Sequence, residues 1–298
     1  MNDERIMVAV CTRYRPRLLR RCIESLRPQI GGGSKLLIVE SASSSPEVRQ
    51  IADKAGAAYM ATLRAGLDVA RNAALQQVRD GIIAYIDDDA VAAPNWLAAL
   101  RDAFSDPAIS CVTGRVLPLE LGTPAQRHFE ERFSFDRGAE PIRFTAADDR
   151  PRFPVYPYHL GTGCNMAFRR RLFDEIGGFD ESLDTGTPVG GGGDLDLFRR
   201  LLCAGHAALY WPEALVYHKH RETDRESRRQ FWGYGKSYTA LLTKSILVER
   251  KMIHDAWLLV RRRPKEQMRR LGRFFQGTYS FPLDLIPVSY THLRAHET

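Results

Sequence analysis

Three consecutive aspartates, Asp87, Asp88 and Asp89, close the apolar run from Gly81 to Ile86 and precede a helix expected to begin near Pro94-Asn95-Trp96. Three adjacent carboxylates repel one another, so a chain that sets them at the end of a buried strand needs a cation or cationic ligand to compensate. In an extended backbone Asp87 and Asp89 share one face and Asp88 takes the other, a D-x-D pair suited to a divalent ion that in turn holds a diphosphate. The competing reading is an acidic turn capping the next helix. A second acidic centre follows Gly190-Gly191-Gly192-Gly193. The glycine run lets the backbone approach a bound molecule and delivers Asp194 at a helix N-terminus, where the macrodipole favours an ionised carboxylate. Asp196 stands about 200° further round that helix, so the two cannot enter one cleft. Asp196 is expected to pair with Arg199 or Arg200, while simple N-capping is the alternative for Asp194.

The elements that must position these residues alternate. Met7 to Cys11 reads as a buried strand, and Pro16 opens a helix whose Leu18, Leu19, Cys22, Ile23 and Leu26 lie on one face until Gly31-Gly32-Gly33. Leu36 to Val39 is a second strand, Ser45-Pro46 a cap and first turn, Val48 to Ala55 a helix, and Ala57 to Met60 a third strand. A helix from Gly66 to Val78 leads to the fourth strand, which runs into the aspartates. Such β-α-β-α units imply an α/β fold with a mainly parallel sheet, flanked by helices and binding ligands at the carboxyl ends of its strands. After a helix at 96–104 and a strand at 110–117, residues 118–160 carry six prolines and few periodic apolar positions, and are expected to form a substrate-shaping excursion. Helices return at 170–176 and 194–204, and from Asp224 onward the chain reads as helical and basic.

Composition narrows the class. The 298 residues, 44% of them hydrophobic, can bury a sizeable core. Without an apolar run of about 18 residues or a signal-like N-terminus, a cytoplasmic location is expected. The five cysteines are scattered with no C-x-x-C pair, which favours buried free thiols over zinc or redox sites. The net charge of +7 is uneven: the stretch from Lys219 to Arg273 carries +10. With Trp232, Tyr234 and Trp257 interleaved, that stretch suits peripheral contact with an anionic membrane surface, its alternative being a solvated face. No nucleic-acid partner is expected. Residues 287–298 have no periodicity and are read as non-native cloning sequence.

An ordered series of fragments carries a family resemblance. It comprises Val8 to Pro16, Leu37 to Ser43, Gly66 to Asn72, Ile86 to Asp89, Gly161 to Arg169, Gly177 to Asp180, Gly190 to Leu197 and Tyr217 to Arg221. Over about residues 6–222 the chain resembles the family 2 glycosyltransferases, which have the GT-A fold and mostly transfer a sugar from a nucleotide diphosphate with inversion. The resemblance implies a GT-A-type, Rossmann-like domain over 1–222, with a nucleotide-sugar half at 1–117 and an acceptor half at 118–222. A helical basic extension follows at 223–286.

It also implies roles. Asp87 would meet the ribose and Asp89 a Mn2+ or Mg2+ ion, with Asp88 undefined near the nucleotide. His218, spaced from Arg221 as H-x-x-R, would complete the metal shell, a structural histidine being the alternative. Thr12 would hydrogen-bond the base or ribose, Tyr14 stack on the base and Glu40 accept from it. Arg71 would fork onto diphosphate oxygens, or else pair with Asp68 one turn earlier. Asp194 would be the general base. Two departures stand out: Glu40 replaces a usual Asp, and Gly193 stands where the acceptor motif often has Glu. The implied activity is transfer from a UDP-sugar to a glycan or lipid-linked acceptor in cell-surface polysaccharide or glycolipid synthesis. The alternatives are a sugar-nucleotide nucleotidyltransferase, which would open with a glycine-rich basic loop absent at Thr12 to Pro16, and a non-catalytic nucleotide-sugar-binding scaffold.

Overall fold

The computed structural model of the chain describes residues 5–148 and 157–248, so residues 249–273 of the basic stretch and the 287–298 tail lie outside it. The first half follows the apolar periodicities: β1 (Ile6–Thr12), α1 (Pro16–Leu26), β2 (Lys35–Ser41), α2 (Pro46–Ala55), β3 (Ala58–Thr62), α3 (Leu67–Leu75) and β4 (Ile82–Asp87). Ser45 caps α2 by accepting from the amides of Glu47 and Val48, and Gly56 ends that helix with a left-handed residue. The second half comprises β5 (Ala90–Ala92), α4 (Trp96–Ala103), β6 (Ile109–Pro118), α5 (Pro124–Arg132), β7 (Ile142–Phe144), β8 (Asn165–Arg169), α6 (Leu172–Ile176), α7 (Gly193–Cys203), β9 (Ala207–His218) and α8 (Asp224–Val248).

The strands form one mixed sheet in the order β3-β2-β1-β4-β8-β6-β9-β5, with β7 added to β9. β1 to β4 run parallel, and β8 enters antiparallel between β4 and β6. Two features add to the sequence reading. The proline-rich stretch contains a regular helix, α5, whose Thr123 and Gln126 make a reciprocal capping box and whose Phe129 stacks on Phe231 of α8. It also contributes β7, an edge partner of β9.

Strand alternation assigns each core residue to a layer. Ile6, Val8 and Val10 of β1 and Ile82, Ala84 and Ile86 of β4 face α1, α2 and α4. Ala9 and Cys11 of β1 and Ile83 and Tyr85 of β4 face α3, α6 and α7. The parity continues past the core. Asp87 falls on the α3 and α7 side, whereas Thr12 and Glu40, opposite each other in the β1–β2 register, fall on the side of α1 and α2.

The middle of the sheet is stitched by Asn165. Its amide nitrogen donates to the carbonyls of Arg115 and Ala214, and its oxygen accepts from the Trp96 indole at 2.9 Å. Gly114 makes this possible, because a Cβ there would overlap both the Ala214 carbonyl and the Asn165 amide. Backbone cannot give way as a side-chain tip can. Gly114→Ala is therefore expected to destabilise the fold by about 3 kcal/mol, read as a lower urea midpoint at unchanged slope.

Helix α8 is built into the domain. Tyr238, Leu241 and Leu242 pack with Tyr158, and Lys244 reaches Asp180 at 2.6 Å and Asp196 at 2.8 Å. Lys236 donates to the Pro188 carbonyl. These two lysines of the basic stretch thus tie α8 to α7 and to the segments around Asp180 and Pro188. No helix among the described residues is long and apolar enough to cross a membrane.

Candidate active site

Asp87 ends β4, a turn carries Asp88 and Asp89, and β5 follows at once. Because β5 pairs antiparallel with the end of β9, Ala90 lies opposite His218, and the Lys219 amide donates to the Asp89 carbonyl. That pairing draws a histidine 129 positions downstream to the aspartates. One ligand atom each from Asp87, Asp89 and His218 lies within 4.8 Å of the others. Among the described residues, His218 Nδ1 is buried with no hydrogen-bond partner, and the buried Asp89 Oδ1 meets only His218 Nε2, in an ion-pair contact. Two carboxylates and an imidazole match the preferences of a hard divalent cation such as Mn2+, so the site fits a metal.

The compensating charge expected for the aspartates is present. Arg15 Nη1 lies 3.1 Å from Asp88 and 2.9 Å from Asp89, and Arg221 approaches Asp89 at 3.8 Å. His218 Nε2 stands 3.2 Å from Asp89 Oδ1. Burial pushes the Asp89 carboxyl up, but His218, Arg15 and Arg221 outweigh it and hold it below the usual carboxylate range. Burial opposes a charge on His218, yet Asp89 and then Asp87 raise its pKa. A bound cation would take the place of that imidazole proton. Asp88 points the other way, as strand alternation requires. Its Oδ2 accepts from Thr12 Oγ1 at 2.6 Å, and burial, opposed by Arg15, pushes its pKa up to about 7. Arg15 sits within the fragment from Thr12 to Pro16, but the sequence reading gave it no role.

The expected nucleoside-binding residues divide into exposed and buried. Tyr14 is 67% exposed at φ 55°, a left-handed conformation uncommon for a tyrosine, with the Arg13 guanidinium 5.3 Å from its ring centre. Glu40 is fully buried. Its Oε2 accepts from the Ser45 amide at 2.9 Å and from Tyr59 Oη at 2.8 Å, while Oε1 has no partner among the described residues. Thr12 is buried and committed to Asp88.

Arg71 is also buried: it pairs with Asp68 one turn earlier at 3.0 Å, the alternative to a diphosphate contact, and faces Asp87 at 3.5 Å. Its Nη2 donates to the Gly163 carbonyl at 2.9 Å. The Gly163 amide donates in turn to Asp194 Oδ2 at 2.9 Å, placing Asp194, half-buried in the first turn of α7, on the same side of the sheet as Asp87. Asp196 pairs with Arg199, Arg200 and Lys244, pointing away from Asp194 as the helical geometry predicts. One carboxylate escaped the sequence reading. Asp184 accepts from the amides of Leu67, Asp68 and Val69, capping α3 from over a hundred residues away, and no local pattern announces such a cap. Asp68 is pushed up to about 7 by burial, with Arg71 opposing and Asp184 and Asp194 adding to the rise.

Comparison with known proteins agrees with this layout. The family model described as Glycosyl transferase family 2 matches residues 7–177. The chain is similar to the pre-mycofactocin glycosyltransferase of Mycobacterium tuberculosis, 28% identical over 236 residues that cover 76% of this chain and 46% of that protein. It is likewise 28% identical to the O-antigen chain rhamnosyltransferase RfbN of Salmonella typhimurium, over 55% of this chain and 50% of that one. The chain thus spans about half the length of these curated relatives. Among solved structures, S. aureus TarS superposes with a TM-score of 0.58 at 14% identity, over 84% of this chain and 41% of that one. The mannosyltransferase PcManGT from Pyrobaculum calidifontis, solved with GDP-Man and Mn2+, gives 0.56 at 19% identity, over 82% and 64%. Likeness at this identity establishes the shared fold.

Proposed function

Because the chain belongs to glycosyl transferase family 2, we propose that it transfers a sugar, with inversion, from a UDP-linked donor to a hydroxyl of a glycan or lipid-linked acceptor. The observation that carries this reading is the gathering of Asp87, Asp89 and His218 within 4.8 Å, beside two part-exposed guanidinium groups, at the carboxyl ends of parallel strands. A structure of TarS with UDP and the PcManGT complex with GDP-Man and Mn2+ support a nucleotide donor on this fold. In this reading Asp87, Asp89 and His218 hold the metal, which when bound supplies Lewis-acid charge to the diphosphate oxygens.

The chain's own residues do the rest. Tyr14 offers an exposed ring face to the base, whereas Glu40, fully buried and bonded to Ser45 and Tyr59, shapes the strand end beneath it. Arg15 and Arg221 carry positive charge at the place where the leaving diphosphate gains negative charge. Asp194 takes the acceptor's hydroxyl proton as the oxygen bonds to the anomeric carbon and the bond to the diphosphate breaks.

The test is a panel of nucleotide sugars with Mn2+, followed by nucleotide release and by transfer. UDP-sugar turnover that chelation abolishes is expected. Turnover unaffected by chelation would remove the metal, joining of a sugar phosphate to a nucleoside triphosphate would indicate a nucleotidyltransferase, and binding without turnover would indicate a scaffold.

A further inference from the structure

Gly190, Gly191 and Gly192 have φ values of 89°, 139° and 107°, conformations that a side chain would strain. Gly193, at the start of α7, does not share them. What excludes a side chain there is Asp68, since a Cβ on Gly193 would overlap Asp68 Oδ2. A carboxylate therefore occupies the space that a residue on α7 would otherwise fill, and it arrives from α3 instead.

That carboxylate is 2% exposed and is held on both sides. Asp184 fixes its backbone by capping α3, and its Oδ1 accepts from Arg71 Nη1. Arg71 in turn links the two ends of the site, facing Asp87 and donating to the Gly163 carbonyl, while the Gly163 amide donates to Asp194. Gly163 allows the link, because a Cβ there would stand 2.8 Å from Arg71 Nη2 and 2.9 Å from Asp194 Oδ2. A guanidinium with this many duties keeps one orientation only if its counter-charge is fixed.

We propose that Asp68 is a positioning residue of the transfer reaction: from α3, in the space that a side chain at Gly193 would need, it holds Arg71, and through Arg71 and Gly163 it sets Asp194 relative to Asp87. The inference rests on the glycosyltransferase reading above.

The test moves the carboxylate from one backbone to the other. Asp68→Ala is expected to lower turnover about ten- to a hundredfold, the size of one charge-assisted hydrogen bond. Gly193→Asp alone collides with Asp68 and lowers both turnover and melting temperature. The double variant, Asp68→Ala with Gly193→Asp, returns a carboxylate to the same space and is expected to regain at least about tenfold over Asp68→Ala, together with the lost melting temperature. Melting temperature recovered without turnover would reduce Asp68 to a structural counter-ion of Arg71 and overturn the proposal, as would recovery of neither. If the wild type turns over no nucleotide sugar, the transferase reading fails, and the melting temperatures alone still decide whether the two positions exchange.

Discussion

Asp89→Asn is expected to lower turnover about a hundred- to a thousandfold, the several kcal/mol that a lost metal contact removes from a charged transition state. The residue is central on three counts. It shares a 4.8 Å cluster with Asp87 and His218, its carboxylate is buried, and it faces Arg15, Arg221 and His218 together. An amide keeps the shape and abolishes the charge. Mn2+ affinity, measured by calorimetry on wild type and variant, should fall in parallel with turnover. Wild-type Mn2+ affinity in Asp89→Asn would show that the cation, if any, binds elsewhere. A lesser loss is expected for Asp88→Asn, because Asp88 is turned toward Thr12 and Arg15 and has no place in the cluster.

Asp194→Asn is expected to lower turnover about a hundred- to ten-thousandfold, the range of a lost general base, while UDP with Mn2+ still binds within about threefold. The separation follows from placement: Asp194 sits across Gly163 and Arg71 from Asp87 and outside the metal-capable cluster. Nucleotide release into water that survives the substitution would end the assignment without touching donor binding. Asp196→Asn supplies the contrast. Asp196 is fully buried and pairs with Arg199, Arg200 and Lys244, so its loss should appear as a lower melting temperature ahead of any specific loss of turnover.

The half of the fold with local signals was readable in the sequence. Unbroken apolar runs marked β1, β2 and β4, Ser45-Pro46 marked the start of α2, and the aspartates lay where a parallel strand ends. Features made by distant partners were not readable. β9 carries Pro212 and Glu213 at its middle and apolar residues on both faces, so it has no apolar–polar alternation to read, yet it delivers His218 to Asp89. β5 has three residues, too short for a periodic pattern. Helix α5 was hidden by its polar composition, although Thr123 and Gln126 spell a capping box three residues apart. Arg71 was recognised as important from its neighbours, but its burial between Asp68, Gly163 and Asp87 depends on loops that only the folded chain brings together. The pairing of Asp68 with the missing side chain of Gly193 joins residues 125 positions apart.

The alternation that sends Asp87 toward Arg71 and Asp88 toward Thr12 also guards against error while the sheet assembles. Were β4 to pair with β1 one residue out of step, every side chain of β4 would change face. Asp87 would then leave its guanidinium for the apolar layer of α1 and α4, and Asp88 would lose its threonine hydroxyl. A buried carboxylate without its partner costs far more than a misplaced methyl group. The charges gathered at the aspartates thus also penalise a shifted strand pairing, so that register and site depend on the same side chains.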